Sequence, residues 1–152
     1  MKILVLNSGS SSVKYALFED DKQISNGLVE RVEDHLATIK EILGNIGKVD
    51  AVGHRVVHGG EKYKNSVIID SDAIETIRDL ISLAPLHNGA NLAGIEAVAK
   101  LYPDITQVAV FDTSFHQSIP DFAYTYAIPM SFYEQHKIRK YGFNGTSHKY
   151  IT

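Results

Sequence analysis

The order of the apolar patterns constrains the fold of this chain more than any other feature of its sequence. A continuous apolar run at residues 3–6 ends in Asn-Ser-Gly-Ser-Ser-Ser, and residues 13–18 then alternate in the manner of a strand. These patterns predict a hairpin closed by the serine turn, to which residues 23–31 could add a third strand. Three strands followed by helices that alternate with buried strands predict an α/β domain with a mixed sheet.

The later part of the chain carries that alternation of helices and strands. Asp34 is a candidate N-cap of the first helix and Gly44 its stop, while Ser71 or Asp72 can cap the second helix. The patterns predict three helices within 34–44, 71–85 and 92–103 and two buried strands at 49–57 and 108–111.

The composition excludes several classes of protein. The 152 residues are 44% hydrophobic and 22% charged, which suits one globular domain. The absence of cysteine excludes a disulfide scaffold, a thiolate metal site and a cysteine nucleophile. Because the net charge is only −3 and no apolar run approaches the ~20 residues of a membrane span, we expect a cytoplasmic protein that binds neither nucleic acid nor membranes.

The serine-rich turn after the first strand is the first candidate site. Its small residues allow an anion to approach the backbone, its hydroxyls and N–H groups can donate to phosphate oxygens, and Lys14 adds positive charge. It differs from a Walker loop, because the predicted turn lies in a hairpin and does not open a helix. An ordinary serine-rich turn is the alternative.

A strand that ends in a double glycine carries the second candidate site. Arg55 lies in Gly-His-Arg-Val-Val-His-Gly-Gly, where its guanidinium offers a two-pronged donor for carboxylate or phosphate. A surface arginine beside a turn is the alternative. His54 and His58 cannot share one metal ion, since four residues of strand separate them by ~13 Å.

Asp112, at the end of the last predicted strand, is the third candidate. Ligands of open α/β sheets gather outside the carboxyl ends of the strands, where this carboxylate could hold Mg²⁺ or orient an arginine. Capping of the following turn is the alternative. The loops at 86–91 and 141–148 mix Gly, Asn and His with one large apolar residue, which suits a small pocket or a helix-capping turn. We interpret His35 and His136 as solvated surface residues.

Five segments, taken in order, resemble the amino-terminal half of the acetate kinase family of short-chain acyl kinases. They are LNSGSSSVKY at 6–15, VGHRVVHGGE at 52–61, LAPLHN at 83–88, VFDTSFH at 110–116 and YGFNGTSHKY at 141–150. The resemblance implies a ribonuclease-H-like lobe of the actin-like ATPase superfamily, an α/β fold with a mixed five-stranded sheet flanked by helices. It also implies reversible, in-line transfer of the ATP γ-phosphoryl group to acetate, which gives acetyl phosphate and ADP with Mg²⁺.

The resemblance also assigns roles to residues of the first two candidate sites. Asn7 corresponds to a magnesium contact. Ser10, Ser12 and Lys14 correspond to ligands on the phosphate side. Arg55 corresponds to the clamp for the carboxylate and the transferred phosphoryl group.

The remaining correspondences concern the substrate pocket and a catalytic aspartate. Val57, Leu86 and Phe143 would line the pocket for the methyl group, with His87 beside it. Asp112 corresponds to the family's catalytic aspartate. Because acetate, with a pKa of about 4, is already ionised at neutral pH, no general base is needed. We therefore expect the aspartate to position the arginine or the metal ion.

The chain departs from the family pattern in two loops and in length. Gly89 and Ala90 stand where the family has two prolines, and Asn144 stands where it has a histidine that stabilises the transition state. An asparagine amide can donate a hydrogen bond but cannot become cationic, so catalysis is expected to weaken by ~1–3 kcal/mol. Residues 1–152 correspond to the amino-terminal acyl- and phosphate-binding lobe, without the adenosine-binding lobe. We expect this lobe alone to be inactive, whereas the full-length protein would be a homodimer.

Two other functions compete with this interpretation. The chain could be a non-catalytic actin-like module that binds an anion or a partner protein, which the asparagine and the missing lobe favour. The combination of Arg55, Asp112 and the serine turn argues against such a module, because a scaffold does not require these groups. A magnesium-dependent phosphatase built on Asp112 would release inorganic phosphate from an acyl phosphate without ADP.

Overall fold

The computed structural model describes all 152 residues and has one sheet of six strands at its centre. The strands are β1 (Lys2–Ser8), β2 (Ser12–Glu19), β3 (Lys22–Glu30), β4 (Ala51–Val56), β5 (Val67–Ile68) and β6 (Thr106–Phe111). Their order across the sheet is β3-β2-β1-β4-β6-β5.

The sheet is mixed. β1, β2 and β3 form an antiparallel meander, whereas β1, β4 and β6 are parallel neighbours. The α/β class and the mixed sheet are thus confirmed. The sixth strand, beyond the five predicted, is β5, which pairs antiparallel to β6 through only two residues. Two residues are too few to produce a periodic pattern, so the sequence gives no sign of this strand.

Six helices accompany the sheet. They are α1 (His35–Ile46), α2 (Ser71–Asp79), α3 (Asn88–Leu101), α4 (Asp121–Tyr124), α5 (Ser131–His136) and α6 (Gly145–Ile151). Single 3₁₀ turns occupy Leu80–Ser82 and Ser114–Ser118. None of these helices has the length and apolar character that crossing a bilayer requires.

The predicted start of α1 is confirmed, whereas its predicted end is wrong. The carboxylate of Asp34 accepts hydrogen bonds from the backbone N–H groups of Leu36 and Ala37 at 2.8 and 3.2 Å. The helix continues through Gly44 and ends at Ile46, and the following Gly47 has a φ of +76°, which suits glycine. A glycine inside a helix costs only about 1 kcal/mol, which packing of the apolar face outweighs.

The cap of α2 also differs from the prediction. Asp70 accepts a hydrogen bond of 2.8 Å from the N–H of Ala73, so the cap precedes Ser71 and Asp72. All three side chains are of types that favour this position, and sequence alone does not separate them. The α-helix stops at Asp79, and a 3₁₀ turn completes the segment ahead of Pro85.

Both hydrophobic clusters lie on one face of the sheet. The first packs β1, β2 and β4 against α1 and α3, and the second packs β4 and β6 against α2 and α3. Phe111 is fully buried and stacks on the Tyr63 ring, with 4.7 Å between ring centroids. On the opposite face Val5 and Leu28 are 38% and 49% exposed. Residues that alternate with the core positions, among them Asn7 and Arg55, therefore point to this open side.

Candidate functional site

Three parallel strands bring their polar residues to one edge of the sheet. Asn7 lies near the carboxyl end of β1, Arg55 near that of β4, and Asp112 directly follows β6. The register of β1 with β4 and of β4 with β6 sets these ends side by side. This is the edge at which open α/β sheets bind ligands, as the sequence predicts.

Arg55 and Asp112 form a bidentate ion pair. Nε of Arg55 donates to Oδ1 of Asp112 at 3.0 Å, and Nη2 donates to Oδ2 at 2.7 Å. The Asp112 side chain is 1% exposed, whereas that of Arg55 is 37% exposed. Hydrogen bonds to Asp112 raise the pKa of Arg55 above its ordinary value. In the structure the Asp112 carboxylate is thus hydrogen-bonded to an arginine, one of the arrangements considered for it.

Two asparagine side chains accept the other hydrogen bonds of Arg55. Nη1 donates to Oδ1 of Asn7 at 3.4 Å, and Nη2 donates to Oδ1 of Asn144 at 3.2 Å. Asn144 comes from the loop before α6, where its φ of +54° and ψ of +29° place it in the left-handed region. Asn7 and Asn144, which are 137 positions apart in the sequence, therefore meet at one guanidinium.

A cleft of about 570 Å³ opens beside this ion pair. Its lining consists of Arg55, Val57, Leu83, Ala84, Pro85, Leu86, His87, Asp112, Phe143 and Asn144. The structure thus brings together the arginine, the aspartate, the asparagine and all four residues that the resemblance places around a substrate. Leu83, Ala84 and Pro85 lie in a segment that carries the resemblance, but the sequence assigns them no role. The cleft combines an apolar wall with one cationic group, which suits a small carboxylate.

Two buried asparagines in the first turn of α3 hold the walls of the cleft together. Nδ2 of Asn88 donates to the carbonyl of His58 at 3.0 Å, and its Oδ1 accepts from the His58 N–H at 3.0 Å. Asn91 accepts from the N–H of Val57 at 3.0 Å and donates to the carbonyl of Ser8 at 2.7 Å. Sequence analysis missed this function. The spacing of two asparagines by three residues at a helix start is the only signal for it.

The loop before α6 is fixed from two sides. The N–H of Gly145 donates to the Asp112 carbonyl at 2.9 Å, and Nε2 of His116 donates to the Phe143 carbonyl at 3.1 Å. The ring of His58 packs edge-on against those of Tyr141 and Phe143, at centroid distances of 4.3 and 5.7 Å. These contacts hold Phe143 and its neighbouring asparagine in the cleft.

The serine turn lies outside the cleft. Ser10 is exposed and Ser12 half-buried, and Lys14 is exposed on the open face, opposite Asn7 in the register of β1 and β2. Asn7 and Lys14 line a separate, smaller depression of about 400 Å³. Of this predicted site, only Asn7 therefore contacts the Arg55 group in the structure.

The interpretation of His35 as a solvated residue is wrong. Its ring is half-buried, and Nε2 donates to the carbonyl of Gly9 in the serine turn at 2.9 Å. The partner precedes it by 26 residues, so no local pattern reveals the contact. His136 is exposed, as predicted.

The sequence of this chain matches a known protein family. The model of the acetokinase family matches residues 32–152, which is most of the chain. The chain belongs to the acetokinase family. Two curated relatives are the acetate kinases of Clostridium acetobutylicum and Thermotoga petrophila, which are 48% and 46% identical to this chain. Each alignment includes the whole chain.

Solved structures of relatives share the fold. The chain matches Porphyromonas gingivalis acetate kinase with a TM-score of 0.93 and 41% identity over 99% of its length. It matches a propionate kinase from Francisella tularensis with a TM-score of 0.91 and 40% identity, also over 99% of its length. These matches confirm the actin-like α/β lobe that the resemblance implies.

The acetokinase-family chain is much shorter than these relatives. It spans 47% of the C. acetobutylicum protein and 47% of the P. gingivalis chain. The alignment with the C. acetobutylicum protein spans 187 positions against 152 residues, so 35 positions have no counterpart in this chain. The difference is therefore also internal to the matched half.

Two histidines of the acetokinase-family lobe are buried without a charged partner. Nε2 of His54 donates to Oε1 of Gln107 at 2.8 Å, and Nδ1 of His58 accepts from the N–H of Gly60 at 3.0 Å. Removal from water lowers the pKa of each ring to about 4. Both are neutral at pH 7, and each has its own hydrogen-bond partner.

These lowered pKa values predict a loss of stability in mild acid. Between pH 6.5 and 4 the unfolded chain binds protons at both rings that the folded chain does not bind. As the pH is lowered through this range, the free energy of unfolding should therefore fall by up to about 1.4 kcal/mol per pH unit for each ring. Urea unfolding at pH 7, 6, 5 and 4.5 measures this slope. His54→Gln should reduce the slope, and an equal slope in the unchanged chain and this variant would contradict the assignment.

Proposed function

We propose that this lobe forms the carboxylate side of a short-chain carboxylate kinase, in which the ATP γ-phosphoryl group passes to acetate and gives acetyl phosphate and ADP. The observation that carries the proposal is the Arg55–Asp112 pair beside a cleft with an apolar wall. The relatives support it, since they are acetate and propionate kinases. The 1–152 segment would be the acyl- and phosphate-binding lobe.

Acetate fits the two chemical characters of the cleft. Its carboxylate would pair with Arg55, and its methyl group would contact Val57, Leu86 and Phe143. The fully buried Asp112 holds the guanidinium and need not accept a proton, because the substrate is already ionised. An extra methylene in such a pocket changes binding by only about 1–3 kcal/mol, so propionate would be a weaker but real ligand.

The protein groups that support phosphoryl transfer would act through electrostatic stabilisation. The reaction proceeds in line through a loose transition state, where positioned cations and N–H donors provide most of the stabilisation. Arg55 would contact both the carboxylate and the transferred group. Ser10, Ser12 and Lys14 would interact with the nucleotide phosphates when these reach the serine turn.

A magnesium ion bound with ATP suits the oxygen donors of this edge, although they cannot form a site alone. No group of three or more His, Asp or Glu side chains converges in a metal-binding arrangement. Mg²⁺ is commonly held by phosphate oxygens, water and one or two protein oxygens. Asn7 Oδ1 is the protein ligand that we propose, and the ion would neutralise phosphate charge.

The chain spans about half the length of these relatives, so we propose that catalysis needs their other half. That half would bind adenosine, and the longer protein would be a homodimer. The present lobe would bind acyl ligands weakly and transfer little or no phosphate alone.

An amide NMR titration of the labelled chain tests the proposal. Acetate and acetyl phosphate should shift resonances near Arg55, Leu86 and Asp112, whereas MgATP should have little effect. Arg55→Gln should abolish the shifts. Arg78→Gln removes the same charge from an exposed surface pair and should retain them. Absence of shifts with every ligand, or shifts that survive Arg55→Gln, would contradict the proposed site.

A non-catalytic anion-binding module is the second candidate, and Asn144 is the observation that favours it. In a chimera that joins this chain to the other half of the C. acetobutylicum relative, Asn144→His should raise kcat about 5- to 150-fold, since a chargeable donor restores ~1–3 kcal/mol. A coupled assay for ADP measures this gain. No turnover in either extended protein would favour the non-catalytic module, and equal turnover would contradict the role given to residue 144.

A further inference from the structure

The guanidinium of Arg55 has few free donors in this lobe. An arginine has five N–H groups, one on Nε and two on each terminal nitrogen. Asp112 accepts from Nε and from Nη2, Asn144 accepts a second bond from Nη2, and Asn7 accepts one from Nη1. Only one N–H, on Nη1, is left without a protein acceptor.

A bound carboxylate or phosphate needs more than this one free N–H donor. Such groups pair with arginine through two parallel N–H donors. Asp112 already occupies the edge formed by Nε and Nη2, so a ligand must use the edge formed by Nη1 and Nη2. On that edge the Nη2 donor is directed at Asn144. Ligand and asparagine therefore require the same hydrogen atom.

We propose that Asn144 is a displaceable internal acceptor that competes with acyl and phosphate ligands for Arg55, an inference that rests on the proposed function. Because Nη2 can only donate, the amide must present its oxygen to Arg55 and cannot present its NH₂ group there. The side chain of Asn144 is exposed, and its bond of 3.2 Å is longer than the 2.7 Å bond to Asp112. Of the two acceptors that share Nη2, Asn144 is therefore the one that a ligand displaces more easily.

The backbone at this position allows a clean test. Asn144 adopts a left-handed conformation that glycine, asparagine and aspartate tolerate better than other residues. Asn144→Gly removes the acceptor without straining the loop, whereas Asn144→Asp replaces the amide with a charged acceptor. Asn65→Gly makes the same chemical change at an exposed asparagine outside the cleft and serves as the matched control.

NMR titrations with acetyl phosphate and, separately, with inorganic phosphate measure the competition. Asn144→Gly should tighten binding of both about 3- to 10-fold, the effect of removing one competing hydrogen bond of ordinary strength. Asn144→Asp should weaken binding by at least that factor, and Asn65→Gly should leave it unchanged. Unchanged or weaker binding by Asn144→Gly would overturn the proposal, because the amide would then be inert or a donor to the ligand.

The two ligands separate this inference from the proposed function. Tighter phosphate binding by Asn144→Gly without any response to acetyl phosphate or acetate would support the competition and contradict the carboxylate kinase site. If acyl ligands bind, but bind no more tightly to the Asn144→Gly variant, the result would support the site and contradict the competition. Absence of binding by all variants would overturn both.

Discussion

Arg55→Leu is expected to lower the free energy of unfolding by about 2–4 kcal/mol, because it leaves a buried carboxylate unpaired. Asp112 has no exposed surface, and Arg55 supplies both of its side-chain hydrogen bonds. Removing one partner of a fully buried pair costs about 3–5 kcal/mol. The expected loss is smaller here, since the arginine is 37% exposed and water can enter its place. Urea denaturation at pH 7 measures the change.

Two further proteins make this first prediction specific. The double variant Arg55→Leu/Asp112→Asn should recover much of the loss, because the uncompensated charge is gone. Arg78→Leu should cost less than about 1 kcal/mol, since its pair with Glu96 is half-exposed on both sides. Equal losses at Arg55 and Arg78 would contradict the role of the buried charge.

Gly145→Ala is expected to disrupt the cleft and to destabilise the fold by about 2–4 kcal/mol, in the range of severe packing changes. A Cβ at this buried position would overlap the carbonyl oxygen of Asp112 and approach Cβ of Phe115 to 2.9 Å. Backbone cannot rotate away as a side chain does, so the loop must move. Phe143 and Asn144 would leave the cleft with it, and the response to acetyl phosphate in NMR titrations should be lost.

Gly44→Ala is the matched control for this second prediction. Gly44 also lies in a helix, but a Cβ there meets no atom within 4 Å. Alanine should therefore stabilise α1 by about 0.5–1 kcal/mol through its higher helix propensity. Destabilisation of similar size at both glycines would show that the clash with Asp112 is not the cause.

Local sequence patterns predict most of the fold because the major elements have strong periodicities. The apolar run at 3–6 and the β-branched strand before Arg55 identify the centre of the sheet. The two-residue β5 and the end of α1 depend on packing with distant segments, which outweighs local propensity. The structure therefore departs from the predictions at element ends and in four short elements that no pattern predicts, β5, α4, α5 and α6.

The site is predictable in part, for a related reason. Arg55 and Asp112 follow apolar strands, and the topology of parallel strands places such residues together. The backbone partners of Asn88 and His35 are 30 and 26 residues away, so no local pattern identifies them. The hydrogen bond from Arg55 to Asn144 also depends on a left-handed loop residue, which motif spacing does not reveal.

The two buried asparagines of α3 make the site one unit of local unfolding. The N–H groups of Val57 and His58 are protected by side chains of α3 and not by a neighbouring strand. Opening the first turn of α3 releases both amides together, along with the carbonyl of Ser8 before the serine turn. These amides should therefore exchange with deuterium at one common opening free energy, below that of the central strands. The wall of the cleft and the serine turn would then lose their order in the same step.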